Sequence, residues 1–113
     1  MQYEYFYGAQ AEQFSFYRIP KALFTEPNFR ELSTDAKVLY GILLDRMSLS
    51  LKNQWLDAQN KVYIIFTVEE IMDALNCANQ KATRLMVELE KQAGLIERKR
   101  QGLGRPNLIY VKN

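Results

Sequence analysis

Residues 67–94 read TVEEIMDALNCANQKATRLMVELEKQAG. Thr67 is a hydroxyl cap, and Glu70 stands three residues on, the spacing of a capping box. Ile71, Met72 and Leu75 then form the apolar face of a short helix that ends at Asn76. A few residues later Asn79 is a second candidate cap. Behind it Ala82, Leu85, Met86, Leu89 and Ala93 recur at spacings of three and four, and Gly94 stands where a C-terminal glycine ends a helix. Two short helices joined by Cys77-Ala78-Asn79 make a helix-turn-helix pattern.

Two strand-like runs follow, LIERKR and LIYVKN, with RQGLGRPN (residues 100–107) at their junction. A helix-turn-helix followed by a hairpin is a winged helix. The fold class expected is therefore α+β: a winged helix-turn-helix with three core helices, a β-hairpin wing and an N-terminal extension.

The third core helix lies upstream. Ser33-Thr34-Asp35 is a helix start, and Val38, Leu39, Ile42, Leu43 and Met47 trace one helical face, predicting a helix from about Thr34 to Ser48. Between it and Thr67, Asn53-Gln54 and Asp57 to Lys61 are turn material, and Trp55-Leu56 is expected to pair with the buried strand VYIIF. Phe14 to Ile19 is a short strand or an extended lead-in before Pro20, and a short helix is expected after it. TEPNFREL is expected as a loop turning at Pro27-Asn28. Residues 1–13 hold four aromatics, Tyr3, Tyr5, Phe6 and Tyr7, and are expected to be a mobile arm or one that packs on a partner. Residues 14–113 are expected as one domain.

Composition narrows the function. The chain has 113 residues, 48% hydrophobic and 25% charged, enough for one core. It has one cysteine and no histidine, which excludes an internal disulfide, a Cys/His zinc site within one chain and any His-based triad. Cys77 reads as a small buried residue, Trp55 as core or interface, and the methionines as core filling. The acidic pair Glu69-Glu70 sits at a helix start, where the dipole favours it, and a catalytic role is not expected. No glycine loop followed by lysine is present, and the GLG of the hairpin is weak evidence for nucleotide binding. No run of about 18 apolar residues and no signal-peptide pattern is seen. The expectation is a cytoplasmic protein that is not an enzyme and carries no cofactor and no metal.

The net charge of +2 hides an asymmetry. From Asn79 onward eight basic residues stand against three acidic ones, a balance of +5, leaving −3 for the rest. A segregated basic region suggests a polyanion partner. Off the core face, the helix from Asn79 offers Asn79, Gln80, Lys81, Thr83, Arg84, Val87, Glu88 and Lys91. Recognition helices place their N-terminal residues against base edges in the major groove. Asn or Gln pairs there with adenine, Arg or Lys with guanine. Asn79, Gln80, Lys81, Thr83 and Arg84 are the candidate groove contacts, Asn79 dividing between cap and phosphate. On the hairpin, Arg98, Lys99, Arg100, Gln101, Arg105 and Asn107 are the candidates. Arg98 and Arg100 share a strand face and Lys99 points the other way. Arg105, between Gly104 and Pro106, enters a minor groove or clamps a phosphate, unless the turn is only a basic, solvated one.

The segments FYRIPKALF, LSTDAKVLYGILLDRMSLSLKN, VYIIFTVEEI and GLIERKRQGLGRPNLIYV occur in this order. Together they resemble the N-terminal domain of the RepA_N plasmid replication initiators of Gram-positive bacteria, from about Phe14 to Lys112. The resemblance implies binding to repeated double-stranded sites (iterons) in a plasmid origin, with the reading helix on Asn79 to Lys91 and the wing on Arg98 to Asn107. It also implies a homodimer, and a separate C-terminal domain that meets host replication proteins. Such a domain is not in the given sequence, which is therefore expected to be a fragment. Two other readings of the residues are a winged-helix transcriptional regulator and a replisome protein-interaction module.

Overall fold

The computed structural model describes residues 2–8 and 14–113. Among the described residues, four α-helices and a two-stranded antiparallel sheet are arranged in the order expected of a winged helix-turn-helix.

α1, Ala22–Thr25, is a single turn that buries Leu23, and a 3-10 turn at Pro27–Phe29 follows it. Lys37 of the next helix is buried and lies 4.6 Å from the centroid of the exposed Phe24 ring, a cation–π contact that ties α1 down.

α2, Thr34–Lys52, begins at Ser33, whose hydroxyl accepts from the Ala36 N–H. It runs one turn beyond the Ser48 expected. The apolar period stops there because Ser50 is the residue that faces inward, while Leu49 and Leu51 stand exposed. The backbone stays helical until Asn53 and Gln54, and Gln54 has a left-handed φ of 58°. Residues 14–20 form no strand. They run extended across α2 at Gly41, where an added Cβ would lie 2.8 Å from Ile19 Cγ1 and 3.0 Å from the Arg18 carbonyl oxygen. Glycine is what allows this crossing. Of the arm expected over residues 1–13, residues 1 and 9–13 lie outside the described residues. Phe6 meets Phe14 edge-on at 5.8 Å.

The run VYIIF is less regular than the strand expected. It makes two isolated antiparallel bridges, Leu56 with Val62 and Ile64 with Ile109. The first pairs it with the Trp55-Leu56 stretch, as the sequence suggests. The second lays Ile64 against the wing sheet. Asp57 anchors the intervening turn: Oδ1 accepts from the Gln59 and Lys61 N–H groups, and Oδ2 accepts from the Tyr110 hydroxyl.

α3, Val68–Leu75, carries a complete Thr67/Glu70 capping box and ends at Asn76, which has left-handed φ and ψ of 52°. α4, Asn79–Val87, starts differently from the expectation. Its N-cap is Ala78, with no side-chain cap bond, and Asn79 is the first helical residue. The Asn79 amide oxygen instead accepts from the Thr83 hydroxyl one turn on, at 3.4 Å. Nor does the α-helix reach Gly94. Residues Glu88–Gln92 widen into a π-helical turn in which the Ala93 N–H donates to the Glu88 carbonyl.

β1, Ile96–Lys99, and β2, Leu108–Val111, pair in the register Ile96 with Val111, Glu97 with Tyr110, Arg98 with Ile109 and Lys99 with Leu108. One core joins all of these elements. Leu39 and Leu43 of α2, Ile71 of α3, Leu85 and Leu89 behind α4, and Ile64, Ile96 and Ile109 of the sheet side are almost wholly buried within it. The α4 stripe buries against α2 and α3, which leaves its opposite face outward.

Candidate nucleic-acid interface

The inward stripe of α4 (Ala82, Leu85, Met86 and, beyond it, Leu89) determines which side chains are presented. Asn79, Gln80, Thr83, Arg84 and Val87 are exposed on the other side. Gln80, Thr83, Arg84 and Val87 stand at i, i+3, i+4 and i+7, a single row along the helix. Lys81 is placed differently. Its ammonium lies 2.6 Å from Asp35 Oδ2 at the start of α2, so this candidate contact has an intramolecular partner.

Glu88 would oppose an anionic ligand if it faced outward. It is buried instead: its carboxylate accepts from the Ser33 N–H and the Ser33 hydroxyl, both at 2.9 Å. The end of α4 thereby caps the beginning of α2, and a negative charge leaves the outward face.

The same happens two residues on. Glu90 Oε1 accepts from Arg98 Nη2 at 2.7 Å and from Nε at 3.1 Å, and Oε2 accepts from the Arg98 N–H at 3.2 Å. These hydrogen bonds, led by those of the guanidinium, hold the Glu90 carboxyl below the usual carboxylate range. Arg98, a candidate wing contact, is thus held against the molecule by its own neighbour. Its side chain retains 25% of its exposure and that of Glu90 17%.

The rest of the wing is open. Lys99, Arg100, Arg105 and Asn107 are exposed. Gln101 is exposed too, but its side-chain amide donates to the Pro106 carbonyl at 2.8 Å and closes the loop across its base. Gly102 and Gly104, with φ of 117° and 76°, turn the tip, and Arg105 donates its N–H to the Gly102 carbonyl. Leu103 between them is fully exposed. Beside the wing root, a cleft of about 290 Å³ is lined by Thr67, Glu69, Arg98, Arg105 and Asn107 among others, where the wing approaches the start of α3.

Apart from Lys112, the exposed cations from Asn79 onward (Arg84, Lys91, Lys99, Arg100 and Arg105) therefore gather on α4, the turn that follows it and the wing, while two of the three acids there are turned inward. The third, Glu97, lies 3.6 Å from the Lys112 ammonium. Sequence reasoning missed Asp35 and Glu90 as the groups that hold Lys81 and Arg98. Asp35 lies far from Lys81 in the chain. Glu90 is eight residues from Arg98, with a reversal at Gly94 between them. No periodicity reveals either pair. Among the described residues no group of three or more Cys, Asp or Glu side chains that could hold a metal ion is gathered, and no helix is long and apolar enough to cross a membrane.

Two short helices across a tight turn, the second presenting a polar row beside a basic hairpin, define a winged helix-turn-helix domain. The chain belongs to the RepA_N family, described as the N-terminus of replication initiator protein A, whose family model matches residues 15–113. It is similar to a solved structure described as "N-Terminal domain of DNA binding protein", at 39% identity and TM-score 0.80, covering 99% of this chain and 85% of that one. A second, described as "Structure of Rep-DNA complex", is also 39% identical, with TM-score 0.80, 97% of this chain and 84% of that one covered. A "41 kDa protein" of Lactobacillus helveticus is 32% identical over 92 residues, which are 81% of this chain. The chain spans about a quarter of that protein's length, 26%.

Proposed function

We propose that this domain binds double-stranded DNA at the repeated sites (iterons) of a plasmid origin and so starts plasmid replication. α4 lies in the major groove, with Gln80, Thr83 and Arg84 against base edges and Asn79 and Lys81 beside the backbone. The wing lies on the adjacent minor groove or backbone, through Lys99, Arg100, Arg105 and Asn107.

The observation that carries this reading is the sorting of charge on one face. Glu88 and Glu90 are bonded inward to Ser33 and Arg98, and Arg84, Lys99, Arg100 and Arg105 stand exposed apart from them. A face cleared of carboxylates in this way suits a polyanion. Membership of the initiator family and likeness to a Rep–DNA complex support the same ligand. The domain acts by binding and not by catalysis. It works as a homodimer on two half-sites about one helical turn apart or a multiple of it. Host replication proteins are met by a C-terminal domain beyond this one, inside the cell.

Titration against duplex carrying the repeats of the plasmid's own origin, beside a shuffled duplex of equal composition, tests the reading. Tighter binding to the repeats is expected, together with a steep loss of affinity for both duplexes as salt rises. Equal affinity for the two duplexes refutes origin recognition.

A further inference from the structure

Val87 is 41% exposed on α4. From Thr67 onward, Val87 and Leu103 are the large hydrophobic side chains among the described residues that stand exposed. Val87 is not part of the core stripe, which runs through Ala82, Leu85, Met86 and Leu89. Local preference does not account for it either, since a β-branched residue is a mediocre helix former. Its position on the helix is informative. It follows Gln80, Thr83 and Arg84 by seven, four and three residues, so it extends the row of candidate base contacts by one turn. The adjacent Glu88 carboxylate is turned away onto Ser33, which leaves the surroundings of Val87 free of that charge.

An exposed aliphatic group in the row of a groove-reading helix has one apolar counterpart on DNA. The floor of the major groove presents donors and acceptors, together with the 5-methyl group of thymine. We propose that Val87 is a specificity-determining residue that packs against a thymine 5-methyl group, beyond the base pairs met by Gln80 and Arg84. The inference rests on the origin-binding reading above. It adds that the recognised half-site contains a thymine chosen by apolar contact, where the polar residues of the row choose by hydrogen bonds.

Deoxyuridine, which is thymidine without that methyl, is the probe. Each thymidine of the repeat duplex is replaced in turn by deoxyuridine, and binding is measured for the natural domain and for Val87→Ala. One position per half-site is expected to cost the natural domain about fourfold in affinity, the worth of one buried carbon. Val87→Ala is expected to lose about the same on the thymidine duplex and nothing more at that position with deoxyuridine. Its far-ultraviolet circular dichroism is expected to be unchanged, because the side chain is exposed. The inference is overturned if no single replacement weakens the natural domain, or if the penalty persists undiminished in Val87→Ala. Failure of the natural domain to prefer the repeats overturns the origin-binding reading and this inference with it. A retained preference without a methyl effect overturns this inference alone.

Discussion

Glu90 Oε1 accepts from both Nη2 and Nε of Arg98, at 2.7 and 3.1 Å, while Oε2 takes the Arg98 backbone N–H at 3.2 Å. One carboxylate in the turn that follows α4 thereby holds the first strand of the wing by side chain and backbone together. Truncating one partner of such a largely buried pair leaves the other charge without compensation. Glu90→Gln is expected to lower unfolding free energy by about 1–3 kcal/mol in urea denaturation, since it keeps the shape and removes the charge. Arg98→Ala is expected to reduce stability more than it reduces the salt dependence of DNA binding, because this arginine is held against the protein.

The pH dependence follows from the same carboxylate and from Asp57. The Arg98 guanidinium lowers the pKa of Glu90, and the Lys61 N–H is the first cause lowering that of Asp57. In the unfolded chain both titrate near the ordinary carboxylate value of about 4. A depressed folded pKa means that the unfolded state binds protons first as pH falls. The stabilisation from both groups is therefore complete above that value and is lost as pH drops through the folded pKa values. Thermal midpoints measured from pH 7 down to about 2 are expected to hold near neutrality and fall below about pH 4. Glu90→Gln should flatten part of that fall.

Lys81 and Asp35 form a half-exposed ion pair, with side-chain exposures of 42% and 51%. Such a pair contributes little to stability, so its main effect is on the direction of the lysine. Asp35→Asn is expected to leave the urea midpoint nearly unchanged and to raise affinity for random duplex by about two- to fivefold at low salt, as the lysine becomes free for phosphate. Unchanged affinity would show that Lys81 lies off the DNA.

On the proposed mode of binding, Arg84 and Arg105 separate base reading from backbone attraction. Arg84→Ala is expected to weaken binding to the origin repeats by about 1–3 kcal/mol and to relax specificity at one base pair. Arg105→Ala is expected to weaken binding to all duplexes and to reduce the slope of log affinity on log salt by about one. Both are read from fluorescence titrations at several salt concentrations.

Gly41→Ala places a methyl group 2.8 Å from Ile19 Cγ1 and 3.0 Å from the Arg18 carbonyl. Alanine gains about 1 kcal/mol of helix propensity over glycine, whereas overpacking against a backbone atom costs about 1–3 kcal/mol. Net destabilisation is expected, with easier proteolysis of residues 14–20 as the local readout. A stabilised variant would show that this segment lies on α2 without constraint.

Much of the fold was legible because local rules agreed with it. Thr67 and Glu70 named the start of α3, Ser33 that of α2, and the i, i+3, i+4 stripes marked the core-facing sides of α2, α3 and α4. Glycine and proline at 102–106 marked the wing. Errors appeared where tertiary contact overrode local pattern. Ser50 faces inward although it is polar, so α2 outran its apolar period. Asn79 has a capping side chain but lies one position inside the helix, where it bonds Thr83. The π-helical turn at Glu88–Gln92 is not written in any periodicity.

For the interface, the chain order and residue types were enough to identify a basic winged helix and its exposed row, since amphipathic spacing and charge composition are properties of neighbouring residues. They did not separate free cations from held ones. Lys81 and Arg98 look like Arg84 and Arg105 in the sequence. Only folding brings Asp35 and Glu90 within 2.6 and 2.7 Å of the first two and leaves the others in solvent. Coulomb attraction falls with distance and with the dielectric around it. Which arginine is structural and which is available to a ligand is therefore decided by three-dimensional proximity, a quantity that sequence separation does not carry.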